Sequence, residues 1–420
     1  MLEAFRNLFR VPELRKRLLF TLAIIAVYRI GSHIVVPGID VAALKSFVAS
    51  QEGGLFGFVD LFAGGALSEF AVFALGIMPY ITSTIIMQLL TVVFPKLEQL
   101  QKEGEAGQKK INQYVRYMTV ALAFVQAMAL VVTFKNYKVI ASYNFNSVGL
   151  IVITLVAGTT LIMWLAELIT EKGIGNGMSV IIAASIISRL PIAAVQTAQV
   201  SSPLVITVVV LIILLVMAAI VATELGQRKI PVQYAKRIVG RKVYGGQMTY
   251  IPLKINQAGV VPIIFAVSVL MIPGIISQFF PASAFATAMN TYLAPSSIGY
   301  MLMYSLLIIV FAYFYTAVTF NPIDISENIQ KYGGFIPGVR PGRPTAAYLD
   351  NILTRMTLPG AVFLALIALI PTIIMGTLNV PFFKSFGGIS ILIVVSVALE
   401  TMRQLEAQLH MRNYEGFFSR

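Results

Sequence analysis

The stretch LFGFVDLFAGGALSEFAVFALGIMPYITSTIIMQLLTVVF, residues 55–94, is apolar enough for a membrane and too long to cross one once. As one helix, roughly 40 residues would reach about 60 Å, twice a hydrocarbon core of about 30 Å. It must break. The break is expected at Gly64-Gly65, between Asp60 and Glu69, because paired glycines are poor helix formers and acids avoid lipid. Residues 70–94 then suffice for one tilted crossing that carries Pro79 near its start. Residues 55–67 are too short to span, and such a half-helix sits at membrane depth only inside protein or a water-filled cavity.

The other 380 or so residues have the same character. The chain of 420 residues is 58% hydrophobic and 12% charged, with mean hydropathy +0.84, the profile of a multi-span membrane protein. It has no cysteine and two histidines, so thiolate metal sites and disulfides are excluded and imidazole ligation has little to work with. No phosphate-binding glycine loop, nucleophile elbow or paired-histidine motif is present, so an enzyme is not expected and no cofactor is called for.

Residues 1–14 set Leu2, Phe5, Leu8 and Phe9 at helical spacing among Arg6 and Arg10, as in an interfacial helix. The first span is expected at 18–36, ended by Pro37-Gly38, with Arg29 snorkelling near its far end. After the half-helix and second span comes a polar loop at 95–112. Further spans are expected at 113–134, 148–169, 178–198, 203–223, 255–279, 298–320, 352–375 and 385–402, about ten in all. The loop at 226–254 holds Arg228, Lys229, Lys236, Arg237, Arg241, Lys242 and Lys254 without one acid, whereas 277–300 is uncharged. By the positive-inside rule the basic loops and both termini are cytosolic. A midpoint near 201–203 divides the chain into halves of about five spans, 1–200 and 201–420, with a proline inside a span of each half, Pro79 and Pro262.

Ile77 and Ile81 share one helix face, as do Met178 and Ile182. Around a central cavity such pairs could form a constriction that excludes water and ions; the same spacing also fits ordinary helix packing. Thr82, Gln88, Gln126 and Asn256 are uncharged polar residues inside spans, suited to interhelical hydrogen bonds or to a polar seam that parts. Ionisable groups expected of coupled transporters near the midplane are nearly absent, which argues against a solute transporter. In the basic loop, Ile230, Val232 and Tyr234 alternate, as do Thr249 and Ile251, predicting a β-hairpin with a basic tip. That tip fits a phosphate backbone or an acidic protein surface, or simply meets the charge demand of topology. The proline-stiffened run PGVRPGRP at 337–344 presents Arg340 beside it.

Five runs resemble the SecY family, the large subunits of bacterial protein-conducting channels: FALGIMPYI at 73–81, GIGNG at 173–177, RKVY at 241–244, FIPGVRPG at 335–342 and LIVV at 392–395. The resemblance covers essentially the whole chain. It implies an all-α multi-pass membrane protein, ten transmembrane helices in two pseudosymmetric halves of five around a central pore, with a short plug helix and a cytosolic β-hairpin loop. It also implies a plug at 58–67 that includes Phe58, Asp60, Phe62, Gly64 and Gly65, and a pore ring of Ile77, Ile81, Met178, Ile182, Ile264 and Ile393. Methionine at 178, where isoleucine is commoner in the family, keeps the ring apolar. The lateral gate would include Thr82, Gln126 and Asn256; partner docking would use Arg228, Lys229, Lys236, Arg237, Arg241, Lys242 and Arg340. Implied partners are SecE and SecG, the SecA ATPase or a translating ribosome, preprotein signal sequences, the lipid bilayer, and the accessory proteins SecDF and YidC. The implied location is the plasma (inner) membrane of a bacterium.

Overall fold

The computed structural model describes residues 11–51, 55–137, 139–140, 143–234, 237–239, 242–244, 248–279, 283–284, 288, 292, 297–378, 380, 382 and 388–418. The interfacial helix expected at the N-terminus lies mostly outside them. In chain order the described helices are α1 (Pro12–Gly31), α2 (Val41–Gln51), α3 (Leu55–Phe62), α4 (Met78–Val93), α5 (Pro95–Lys102), α6 (Glu105–Asn136), α7 (Phe145–Lys172), α8 (Gly177–Val200) and α9 (Pro203–Leu225). After a β-rich segment follow α10 (Val261–Phe279), α11 (Ile298–Thr319), α12 (Pro322–Lys331), α13 (Arg343–Leu378) and α14 (Gly388–Phe418).

Among the described residues, α6, α7, α8, α9, α13 and the α11–α12 unit are each long and apolar enough to cross a bilayer. The α4–α5 pair, bent by 101°, makes a seventh at most. Three more long helices, α1, α10 and α14, take the remaining places among the ten expected. The first carries Arg15, Lys16 and Arg17 in its opening turns, and the last runs on into Glu400 and Arg403, which dilutes their apolar windows. α9 shows what lipid asks of a helix: mean hydropathy 3.5 with only 17% of that window buried. Its Leu204, Leu211, Leu214 and Leu215 are exposed, as acyl-chain contacts require.

Several boundaries differ from the sequence reading. α1 starts at Pro12 and ends at Gly31, short of the expected Pro37-Gly38. Residues 34–36 are instead extended and pair with the strand-like stretch at 70–72: Val36 N donates to Phe70 O at 3.0 Å and Val72 N to Ile34 O at 2.9 Å. The half-helix stops at Phe62 rather than Leu67, and the second span begins at Met78 rather than Phe70. Between them the chain runs in turns, because Gly64 and Gly65 adopt φ +65° and +96°, a left-handed geometry that ends a helix. The expected polar loop at 95–112 is mostly helical: Pro95 starts α5 and α6 begins at Glu105. The sequence reading also missed α2.

The expected hairpin is present as β1 (Gln227–Tyr234) paired antiparallel with β4 (Met248–Lys254), in the register Ile230 with Ile251 and Val232 with Thr249. At its tip lies a second pair, β2 (Arg237–Val239) with β3 (Lys242–Tyr244). A further strand, β5 (Gly334–Phe335), pairs with β1 only at Gln233 and Tyr234, so Pro231 interrupts no ladder on that side. The loop that holds β1 to β4 and the one that holds β5 therefore form one body, the body expected on the cytosolic side. Ile230, Val232 and Leu253 bury with Phe320, Ile329, Ile336, Leu349, Ile352 and Leu353 in an apolar core separate from that of the membrane helices.

Leu253 is fully buried there. Leu253→Ala should weaken this body by about 2–5 kcal/mol. Hydrogen exchange should then quicken in β1 and β4 and stay unchanged in α7 and α8; equal exchange everywhere would contradict a separate cytosolic core.

Candidate functional site

The centre of the membrane region is one continuous apolar cluster. It contains Ile77 and Ile81 at the start of α4, Ile182 of α8 and Ile393 of α14, all 4% exposed or less. Met178 of α8 and Ile264 of α10 are partly buried and pack against the same cluster. All six expected ring residues thus reach one core from four helices.

Local sequence explains the placement of Met178 and Ile182. Asn176 caps α8, its Oδ1 accepting from Met178 N at 3.1 Å and Ser179 N at 3.4 Å. Gly177 lets the new helix touch α7: a Cβ there would lie 1.8 Å from the Ala166 carbonyl oxygen. The GIGNG run is the corner that turns α7 into α8 and fixes where α8 enters the cluster.

The half-helix α3 and its glycine turn sit against α8 on the same cluster, with Phe62 buried at 1% exposure. The side chain of Phe58 lies outside the described residues. Asp60, with a side chain only 2% exposed, is paired with Arg189 of α8, Nη2 to Oδ2. Its Oδ1 accepts from Ser68 N at 2.8 Å, and the Ser68 hydroxyl donates to Oδ2. From the other side, Arg29 Nη1 donates to the Gly64 carbonyl at 2.9 Å, and Tyr28 Oη lies 2.7 Å from Ser185 Oγ and 3.1 Å from the Ala63 carbonyl oxygen. Arg29 therefore binds the glycine turn instead of snorkelling to the interface. Arg189 and Ser185 are functional candidates the sequence reading missed; the available signal was a lone arginine inside an otherwise apolar span.

The three polar residues expected at a gate are spread over α4, α6 and the approach to α10. Thr82 Oγ1 donates to Met78 O of its own helix at 3.0 Å. Gln126 lines an otherwise apolar cavity of about 80 Å³ bounded by Phe56, Val59, Leu67, Met78 and Met271, between α3, α4, α6 and α10. Asn256 is turned toward α9, where Nδ2 donates to Glu224 Oε1 at 2.7 Å and to Gly259 O at 3.1 Å. Arg228, Lys229 and Arg340 are exposed on the cytosolic body. Lys236 and Arg241 lie outside the described residues, as do the side chains of Arg237 and Lys242.

The SecY family model matches residues 71–402, and the protein translocase subunit SecY of Streptomyces coelicolor is 49% identical over 99% of this chain and all of its own length. The chain belongs to the SecY family. A solved structure described as a protein conducting channel shares its fold, with TM-score 0.67 and 18% identity over 96% of both chains. So does Sec61 from a canine ribosome-channel complex, with TM-score 0.64 and 18% identity over 96% of each. As a member of the family the chain is a membrane-embedded channel subunit of a protein translocase.

Gly177→Ala should force α8 away from Ala166 and cost about 1–3 kcal/mol, as overpacking does. The thermal midpoint of the purified protein should fall, whereas Gly149→Ala, a helical position with open space around it, should hold or raise it; equal midpoints would contradict the close approach.

Proposed function

We propose that this chain is the central pore of the translocase, passing unfolded preproteins across a bacterial plasma membrane and releasing signal sequences and transmembrane segments sideways into lipid. The reading is supported above all by one observation: six apolar side chains at or near the starts of α4, α8, α10 and α14 all belong to, or pack against, the continuous apolar cluster at the centre of the helices. Ile77, Ile81, Met178, Ile182, Ile264 and Ile393 act as a waist between halves formed by residues 1–200 and 201–420. Such a waist offers small ions nothing to replace their hydration, and offers a passing chain neither fixed charge nor strong hydrogen bonds. It seals against ions while accepting many sequences.

Residues 58–67, with Phe62 nearest the waist, act as the plug. Lateral release runs between α4 and α10, beside α6, with Thr82, Gln126 and Asn256 as the polar residues along the seam. A segment reaching that seam gains about 0.3–0.6 kcal/mol per strongly apolar residue on entering lipid. The chain has no energy-coupling motif, so the work comes from a partner on the cytosolic body, SecA or a translating ribosome. Docking uses Arg228, Lys229, Lys236, Arg237, Arg241, Lys242 and Arg340. SecE and SecG are the companion subunits, SecDF and YidC accessory ones, and both termini face the cytosol.

Replacing Ile77, Ile81, Ile264 and Ile393 together with glycine should produce a steady ion leak in planar bilayers that the parent channel lacks; an unchanged conductance would leave an insertase without a pore. Arg237→Glu with Arg241→Glu should abolish partner docking in a binding assay while the resting conductance stays at the parent level. Docking at the parent level would remove the hairpin tip from the partner surface.

A further inference from the structure

α8 carries two sets of residues on one face. Ile182, Ser185 and Arg189 are spaced i, i+3 and i+7, so a waist residue lies directly in line with the two groups that hold the plug. Ser185 supports the glycine turn so closely that a Cβ at Gly64 would lie 3.1 Å from its Cα. Arg189 reaches Asp60, whose side chain is 2% exposed. We propose that Arg189 is the positioning residue of the plug, and that mounting it on the waist-forming α8 makes widening of the waist and release of the plug a single movement. This rests on the reading of Ile182 as a waist residue and of α3 with its turn as the plug.

The wiring of Asp60 explains how a buried ion pair can serve as a latch. Both Ser68 contacts to the carboxylate come from the residue that directly follows the plug segment 58–67, so they can travel with Asp60 when it moves. Around the carboxylate, only the guanidinium contacts must break, the one to Asp60 and the long 3.5 Å one to Ser68 Oγ; on the α1 side the bonds to the Ala63 and Gly64 carbonyls must go too. Arg189 is 26% exposed on its side chain, so water can solvate the released arginine. The carboxylate leaves already bound by two donors, which lowers the cost of separating charges that would otherwise be left bare. On the α1 side the hold is weaker: Arg29 meets a neutral carbonyl of Gly64, and a bond to an uncharged acceptor contributes less than one between opposite charges. An outward shift of α8, forced by a chain entering beside Ile182, therefore removes the strongest contact of the plug.

The absence of native cysteine makes the test direct. Leu67, the last residue of the plug, is 2% exposed, so Leu67→Cys in the reconstituted complex reports plug release by its rate of reaction with a membrane-impermeant maleimide. Asp60→Asn and Arg189→Gln should each raise that rate about tenfold or more, equivalent to about 1.4 kcal/mol in the closed–open equilibrium. Arg189→Lys should return it to near the parent value, and the double variant should be no faster than the faster single one, since both remove the same interaction. Ile182→Trp, which pushes α8 outward with the ion pair intact, should also speed labelling. Single variants that label at the parent rate, or a double variant whose effect is the product of the singles, would overturn the latch. A parent rate for Ile182→Trp would overturn its coupling to the waist. Should Asp60→Asn not fold, the Gln and Lys variants at 189 carry the comparison. Failure of the pore reading is separable, because it appears as unchanged conductance in the four-glycine waist variant whatever Leu67→Cys reports.

Discussion

Backbone that leaves the helix at membrane depth has no water to bond with, and the arrangement of this molecule follows from that constraint. Residues 63–77 are such a stretch. Most of their amides are satisfied by tight local bonds, Gly65 N to Asp60 O at 3.0 Å and Ala71 N to Ala66 O at 2.7 Å among them, and by pairing with residues 34–36. Side chains of α1 cap two more carbonyls, at Ala63 and Gly64. Lipid could not replace the partners that α1 and residues 34–36 supply. The turn exists because helices enclose it, and the early end of α1 at Gly31 is part of that enclosure, since a longer helix would withdraw residues 34–36 from the pairing.

How much of this could be read from the residues depended on whether the signal was local. A half-helix broken at Gly64-Gly65 followed from length and glycine alone. The extent of the break did not, because an apolar run such as AVFALG at 71–76 looks the same whether helical or buried in turns. Ile77 with Ile81, and Met178 with Ile182, were visible as one-turn pairs; Ile264 and Ile393 lie far along the chain, and only a family resemblance joined them to the same site. Polar composition hid the helix of α5, whereas the alternation around Ile230 and Ile251 marked the two strands of the hairpin. The joint cytosolic core was legible in principle, since Phe320, Ile329, Ile336 and Leu349 are apolar islands in a charged loop, but they find partners only across a gap in sequence.

That cytosolic core also has a mechanical meaning. α13 begins in it, with Leu349, Ile352 and Leu353, and continues without interruption into the membrane cluster through Leu364, Ala365, Ile367 and Ala368. At 36 residues it is about 54 Å of continuous helix. It packs along α11, which in turn packs on α10, the helix facing α4 and α6. A partner bearing on β1, β4 or β5 is therefore joined to the helices around the 80 Å³ cavity by packed side chains rather than by a flexible loop.

On the proposed reading, the centre uses two kinds of contact for two different tasks. Apolar packing at the waist is tolerant of position, because isoleucine and methionine faces can slide by a fraction of a turn at little cost. Such a surface seals well and specifies poorly. The pair of Asp60 and Arg189, with Ser68 and the Arg29 contact to Gly64, has the opposite properties: it adds little net stability after desolvation, yet it is satisfied in one arrangement only. A plug held by apolar contacts alone would have many closed positions and no sharp release. One held by charges alone would leave a polar, ion-permissive waist. In the proposed arrangement, placing Ser185 one turn and the Arg189 charge two turns beyond Ile182 on α8 keeps charge away from the waist and still defines a single resting position for the segment that closes it.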